Sequence, residues 1–182
     1  VVSSNCGPAS LAMLMTERGL IPEEFWAAES IDYARGLMYP GYPTIDESIL
    51  EEDAFSYRMY DTVMVYGDGY PVYFDAIDDG PSIWQGITAL GATPVHGTSW
   101  TDLATMLEAG SGVIAYGHIT EDWRARFPDS YGTVTGDAVP HFVALFPSTI
   151  ADNVIVCDPM HLGGAVVMAQ ADLQSFFQSP IN

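Results

Sequence analysis

The apolar positions of this chain fall into helical groupings in its first half and into short strand-like runs in its second. Ala9, Leu11, Ala12, Met13, Leu14 and Met15 form a dense apolar block between Gly7-Pro8 and Gly19. Such a block predicts a buried helix, with Pro8 at the first helical position and Gly19 as its stop. Pro22-Glu23-Glu24-Phe25-Trp26-Ala27-Ala28-Glu29 predicts a second helix with acid residues in its first turn, and residues 81–87 a third. Residues 101–110 predict a fourth, capped by Thr101 or Ser99 and stopped by Gly110. Beyond Gly91 the pattern becomes mainly that of strands: residues 112–118, 140–146, 153–157 and 165–168 are apolar runs bounded by Gly, Pro, Asn or Asp. Residues 120–137, rich in Gly, Asp and Arg, read as a mobile loop, and residues 171–177 as a closing helix.

This pattern predicts an α+β protein of one domain, residues 1–182, with a helical lobe over about 1–90 and a sheet lobe over about 91–182. A 182-residue chain with 48% apolar residues is long enough to bury a substantial core. No run of 18 apolar residues exists, so no membrane span is expected. Residues 39–80 hold seven of the ten tyrosines among prolines and glycines and read as an insertion that either walls a substrate cleft or covers the core. Within it, Asp75-Ala76-Ile77-Asp78-Asp79-Gly80 has a calcium-loop look, but Ile77 occupies a ligand position and no suitable Glu follows, so a turn is the better reading.

Charge narrows the function classes. Twenty-four acidic residues face five basic ones, giving a formal charge of −19, and all five basic residues are arginine. That field repels a phosphate backbone and argues against nucleic-acid binding. It serves solvation first, and it also suits a basic peptide. The lack of an initiator Met and of a signal-peptide pattern leads us to expect a processed or excised domain, and the acidic surface an extracellular or exported one.

The candidate chemistry lies in three residues. Cys6 stands at the mouth of the first helix, where unpaired N–H groups and the positive end of the macrodipole favour a thiolate. His141 opens the strand Pro140-His141-Phe142-Val143-Ala144-Leu145-Phe146, and Asp158 closes Asn153-Val154-Ile155-Val156-Cys157-Asp158. Pairing of those strands as antiparallel neighbours sets a base beside its orienting carboxylate. His141 follows Cys6 by 135 residues, within the ~130–150 of papain-type cysteine enzymes. Cys157, adjacent to Asp158 on the strand, points to the other face and reads as a core residue rather than a disulfide partner of Cys6. Among the other histidines, His118 and His161 are placed near the same region, and His96 sits in a turn. The set lacks the close ligand pair that would anchor zinc, so neither a metal nor another cofactor is expected.

The Asn-Cys-Gly-Pro-Ala-Ser-Leu-Ala-Met opening, the His-Phe-Val-Ala-Leu strand and the Val-Cys-Asp-Pro ending resemble the papain-like cysteine peptidases that remove double-glycine leaders in bacteriocin export, and their stand-alone relatives. The resemblance covers about residues 5–20 and 100–160. It implies a papain-like fold in which the N-terminal helix bearing the nucleophile packs on an antiparallel sheet. It also implies Cys6 as nucleophile, His141 as base, Asp158 as orienter and a peptide or protein substrate. The family places a glutamine a few residues before the cysteine as oxyanion donor. Here Val1-Val2-Ser3-Ser4-Asn5 precedes it, and Asn5 is the candidate replacement. Two alternatives stay open: a catalytically weak or inactive interaction module, and an acyltransferase or transpeptidase that passes the same thioester to an amine or thiol.

Overall fold

The computed structural model describes residues 6–22, 24–25, 27–38, 80–131, 139–161 and 163–177. Asn5, the tyrosine-rich segment as far as residue 79 and the Asp75–Asp79 stretch lie outside the described residues. The chain divides into two compact units, one of Val1–Ala12 with Pro22–Pro94, the other of Met13–Ile21 with Val95–Asn182. Helix and antiparallel sheet coexist, as the α+β reading requires.

Helix α1, Cys6–Glu17, begins two residues earlier than the proline position alone predicts. Pro8 still falls in the first turn, where an N–H has no intrahelical acceptor to lose. The helix ends in a Schellman closure: Leu20 N–H donates to Met15 O at 2.9 Å and Gly19 N–H to Thr16 O at 3.1 Å, with Gly19 at φ 66°.

In the first unit, helix α2 spans Ala27–Met38, displaced from the expected 22–29. Ahead of it, Phe25 N–H donates to Pro22 O at 3.0 Å. The helical register comes from Ile31, Ala34, Leu37 and Met38, an i, i+3, i+6, i+7 stripe in which Ala34 and Met38 are buried. Helix α3, Gly80–Ala89, packs against α2. Gly86 makes that contact close: a Cβ there would stand 2.6 Å from Leu11 Cδ2 and 2.9 Å from Met38 Cγ.

The second unit is built on a four-stranded antiparallel sheet in the order β1-β2-β3-β4, with β1 Val113–Ile119, β2 Val139–Pro147, β3 Asn153–Cys157 and β4 Val166–Ala169. Helix α4, Trp100–Glu108, has Ser99 rather than Thr101 as its cap. Ser99 Oγ accepts from Asp102 N–H at 3.1 Å while Asp102 Oδ2 accepts from Ser99 N–H at 3.0 Å, a reciprocal capping box. Gly110, at φ 79°, stops the helix as expected. The expected loop after β1 contains a short helix, α5, Glu121–Arg126. Thr120 caps it by accepting from Trp123 N–H at 3.1 Å, acids fill its first turn and arginines its last. A 3₁₀ turn, Gln170–Leu173, and helix α6, Gln174–Phe177, complete the unit in place of one closing helix.

One face of the sheet carries the core. Ala115, Ile119, Val143, Leu145, Val154, Val156 and Met168 meet Leu103 and Leu107 of α4, Trp123 of α5, Phe127, and Leu173 and Phe176 at the C-terminal end. Alternation along the strands dictates this set, because residues two apart share a face. Gly117 lets α6 approach β1: a Cβ there would stand 2.5 Å from the carbonyl oxygen and ring of Phe176. Gly117→Ala therefore forces backbone apart. We expect a loss of about 2–3 kcal/mol in urea unfolding, against a gain of up to about 1 kcal/mol for Gly36→Ala in α2, whose Cβ would meet nothing within 4 Å.

Candidate active site

Antiparallel register brings two of the predicted residues together. Ala144 pairs with Cys157 and Leu145 with Val156, so the chain leaving β3 passes beside the His141 end of β2. His141 shares a face with Val143 and Leu145, and Asp158 continues the buried alternation of Val154 and Val156. The two side chains meet, His141 Nε2 to Asp158 Oδ1 at 2.9 Å, with relative exposures of 1% and 2%. An ionised carboxylate only accepts, so the shared hydrogen belongs to Nε2 and the lone pair of the neutral ring is on Nδ1.

Two aromatic rings steady the imidazole. Tyr131 and Phe176 stand edge-on to it, with centroids 6.4 and 6.3 Å away. Its cross-strand neighbour is Gly117, whose missing side chain leaves Phe176 room to reach the ring.

Asp158 is more fully held than the sequence indicates. Tyr131 O–H donates to Oδ2, and Trp123 Nε1–H reaches both Oδ2 at 3.1 Å and the Tyr131 oxygen at 3.0 Å. Met160 N–H donates to Oδ1 at 2.9 Å. Burial by itself would push this carboxyl up; the hydrogen bond and charge of His141, joined by Tyr131 and Met160 N–H, outweigh it and hold the carboxyl below the usual carboxylate range.

Trp123 and Tyr131 belong to the segment read as a loop. Thr120-Glu121-Asp122-Trp123, a capping threonine followed by acids and then an aromatic, is the signal that marks its helix. Trp123 is locked by Phe176 and Phe127, at 4.6 and 5.0 Å between centroids. Thr120 Oγ1 also donates to Ser175 O at 3.1 Å, and Arg126 pairs with Asp172 at 3.0 Å, which fasten α5 to the C-terminal segment.

The remaining candidates are placed as follows. Cys6 is the first residue of α1 and is buried. It belongs to the first unit, whereas His141 and Asp158 belong to the second. Cys6 and Cys157 are both thiols. Cys157 is half-buried, and burial pushes its thiol up, which suits an inert residue. His118 lies on the sheet face opposite His141, its ring edge-on to Tyr116 at 5.7 Å. His161 comes near through its backbone, donating to Asp158 O at 2.9 Å, but its ring is engaged by Ser130, Nδ1 to Oγ at 2.7 Å, and packs against Phe127. Among the described residues no group of three His, Cys, Asp or Glu is arranged to hold a metal ion, and no helix is long and apolar enough to cross a membrane. No protein family, curated protein or solved structure matches this chain.

A depressed carboxyl has a signed consequence. Its stabilising contribution is full above the unfolded-state value of about 3.9 and is lost as pH falls through the lower folded-state value. Asp158→Asn keeps the shape and removes the charge. Its stability deficit against wild type, read by urea unfolding, is expected to be constant from pH 7 to about pH 5 and to shrink below about pH 4. A deficit that does not change with pH in that range removes the charge from the account.

Proposed function

We propose that this chain is a papain-like cysteine peptidase in which Cys6 is the nucleophile, His141 the base and Asp158 the orienter. The observation that carries the reading is Asp158's hold on His141 Nε2, which makes Nδ1 the proton-accepting atom. The position of Cys6 on the first turn of α1 adds the favourable end of the helix dipole. The antiparallel sheet, with His141 near the start of β2 and Asp158 just past β3, supports the papain-like assignment.

In this mechanism the Cys6 thiol gives its proton to His141 Nδ1, and the thiolate attacks the scissile carbonyl carbon. The oxyanion is stabilised by the Cys6 backbone N–H and by Asn5. His141 passes the proton to the departing amine as the C–N bond breaks, leaving a thioester. Water, deprotonated by His141, attacks the thioester carbonyl; collapse releases the acid and returns the proton to sulfur. Asp158 stays ionised throughout and stabilises the imidazolium. The acidic chain, at −19, favours a basic peptide as substrate.

The test is the pH dependence of iodoacetamide alkylation at Cys6, followed by peptide mass spectrometry with Cys157 as internal control. Rapid alkylation of Cys6 well below pH 8 is expected, with the onset moved upward in His141→Ala. A Cys6 that reacts like an ordinary thiol and is indifferent to His141 sinks the peptidase reading and leaves the interaction module in its place. Once a substrate is in hand, an added amine separates hydrolysis from transfer, because only transfer gives a conjugated product.

A further inference from the structure

Asp158 accepts more hydrogen bonds than orienting a histidine requires. One oxygen, Oδ1, serves His141 Nε2 and Met160 N–H; the other, Oδ2, is given over to Tyr131 O–H and Trp123 Nε1–H. A carboxylate has about four lone-pair sites, so this one is fully subscribed. The two donors on Oδ2 come from a segment 27 and 35 residues earlier in the chain. That segment is fixed independently, by Ser130 on His161, by Thr120 on Ser175 and by the Trp123–Phe176 ring contact. These contacts hold it beside its bonds to Asp158.

We infer that Tyr131, seconded by Trp123, is a positioning residue that acts through Asp158 on His141, fixing which carboxylate oxygen takes the imidazole and limiting how strongly it is held. The inference rests on the proposed roles of His141 and Asp158. The physical reason is charge sharing. Each donor on Oδ2 withdraws part of the carboxylate's charge, so the Nε2–H bond to Oδ1 is weaker than one to an unshared carboxylate. An acid that must hand its proton to a leaving amine should not be held too tightly. The same donors block rotation of the carboxylate about its terminal bond, which would exchange the two oxygens. Among the described residues, the titratable groups facing His141 and Asp158 from the elements packed on them are Tyr131 and, through its backbone, His161; α6 presents Phe176 and β1 presents Gly117.

The experiment is proton and carbon NMR on the full chain in a Cys6→Ala background, which keeps the readout independent of the nucleophile. Tyr131→Phe retains the ring that packs against His141 and Phe127 and removes only the hydroxyl. The His141 Nε2–H resonance is expected to move downfield, and the Asp158 carboxyl carbon to titrate about one pH unit higher, the worth of one hydrogen bond to a charged acceptor. Trp123→Phe, removing the weaker donor, is expected to move both signals in the same direction by less. With Cys6 restored, Tyr131→Phe is expected to lower the pH at which iodoacetamide alkylation begins, opposite to Asp158→Asn, which raises it. A merely structural role for Tyr131 would loosen the pair and move the onset upward. If the Nε2–H and carboxyl signals of folded Tyr131→Phe coincide with those of the background, or the Nε2–H signal moves upfield, the inference is overturned whatever Cys6 does. If those signals move as expected while Cys6 alkylation ignores His141, the positioning network stands and the peptidase reading falls.

Discussion

Burying one carboxylate organises the second unit of this chain. Moving an ionised carboxyl out of water costs several kcal/mol unless hydrogen bonds replace its hydration. Asp158 has four, from His141, Met160, Tyr131 and Trp123; the bond and charge of His141, with the Tyr131 and Met160 bonds, hold its carboxyl below the usual range against the burial. Each donor comes from a different local context: the start of β2, the turn after β3, the turn after α5, and α5 itself. A carboxylate satisfied in this way ties four separate stretches to one point. It adds to the contacts of Thr120, Arg126 and Trp123 with the C-terminal segment in holding a six-residue helix that is too short to persist alone.

The sheet supplies the other half of the constraint. Strand alternation sends His141, Val143 and Leu145 to the same face as Val154, Val156 and Asp158, so the polar pair sits at one end of an otherwise apolar layer. The same alternation turns Cys157 away, and a one-residue slip between β2 and β3 would exchange Cys157 for Asp158 at the core face. Register and chemistry are therefore coupled. The apolar residues that fix the register also fix which of two reactive neighbours meets the histidine.

Much of this was legible in the amino-acid sequence because it depends on local rules. The four strands, the Gly19 and Gly110 stops, α3 and the pairing of His141 with Asp158 follow from period-two alternation, positive-φ glycines and antiparallel neighbours. Helix α2 was displaced because acids after Pro22 imitate a helix start, whereas the stripe that packs begins at Ile31. Helix α5 is masked in the sequence by the Gly and Asp residues downstream, which give residues 120–137 the composition of a loop. The Tyr131 and Trp123 bonds to Asp158 span 27 and 35 residues, and no local pattern encodes a meeting at that distance. Asn5, the candidate oxyanion donor, and the tyrosine-rich stretch to residue 79 lie outside the described residues.

In its proposed role of nucleophile Cys6 meets opposing fields. A net charge of −19 disfavours its thiolate. The surface charges act through solvent, where screening at physiological salt confines each to about 8 Å. The helix dipole acts from the first turn itself but contributes only about 0.3–1 kcal/mol when exposed and somewhat more when buried. In the proposed mechanism an imidazolium supplies the strongly favourable term, and Asp158 governs its strength. In that mechanism the hydrogen bonds made to a carboxylate near one end of the chain set the properties of the cysteine near the other.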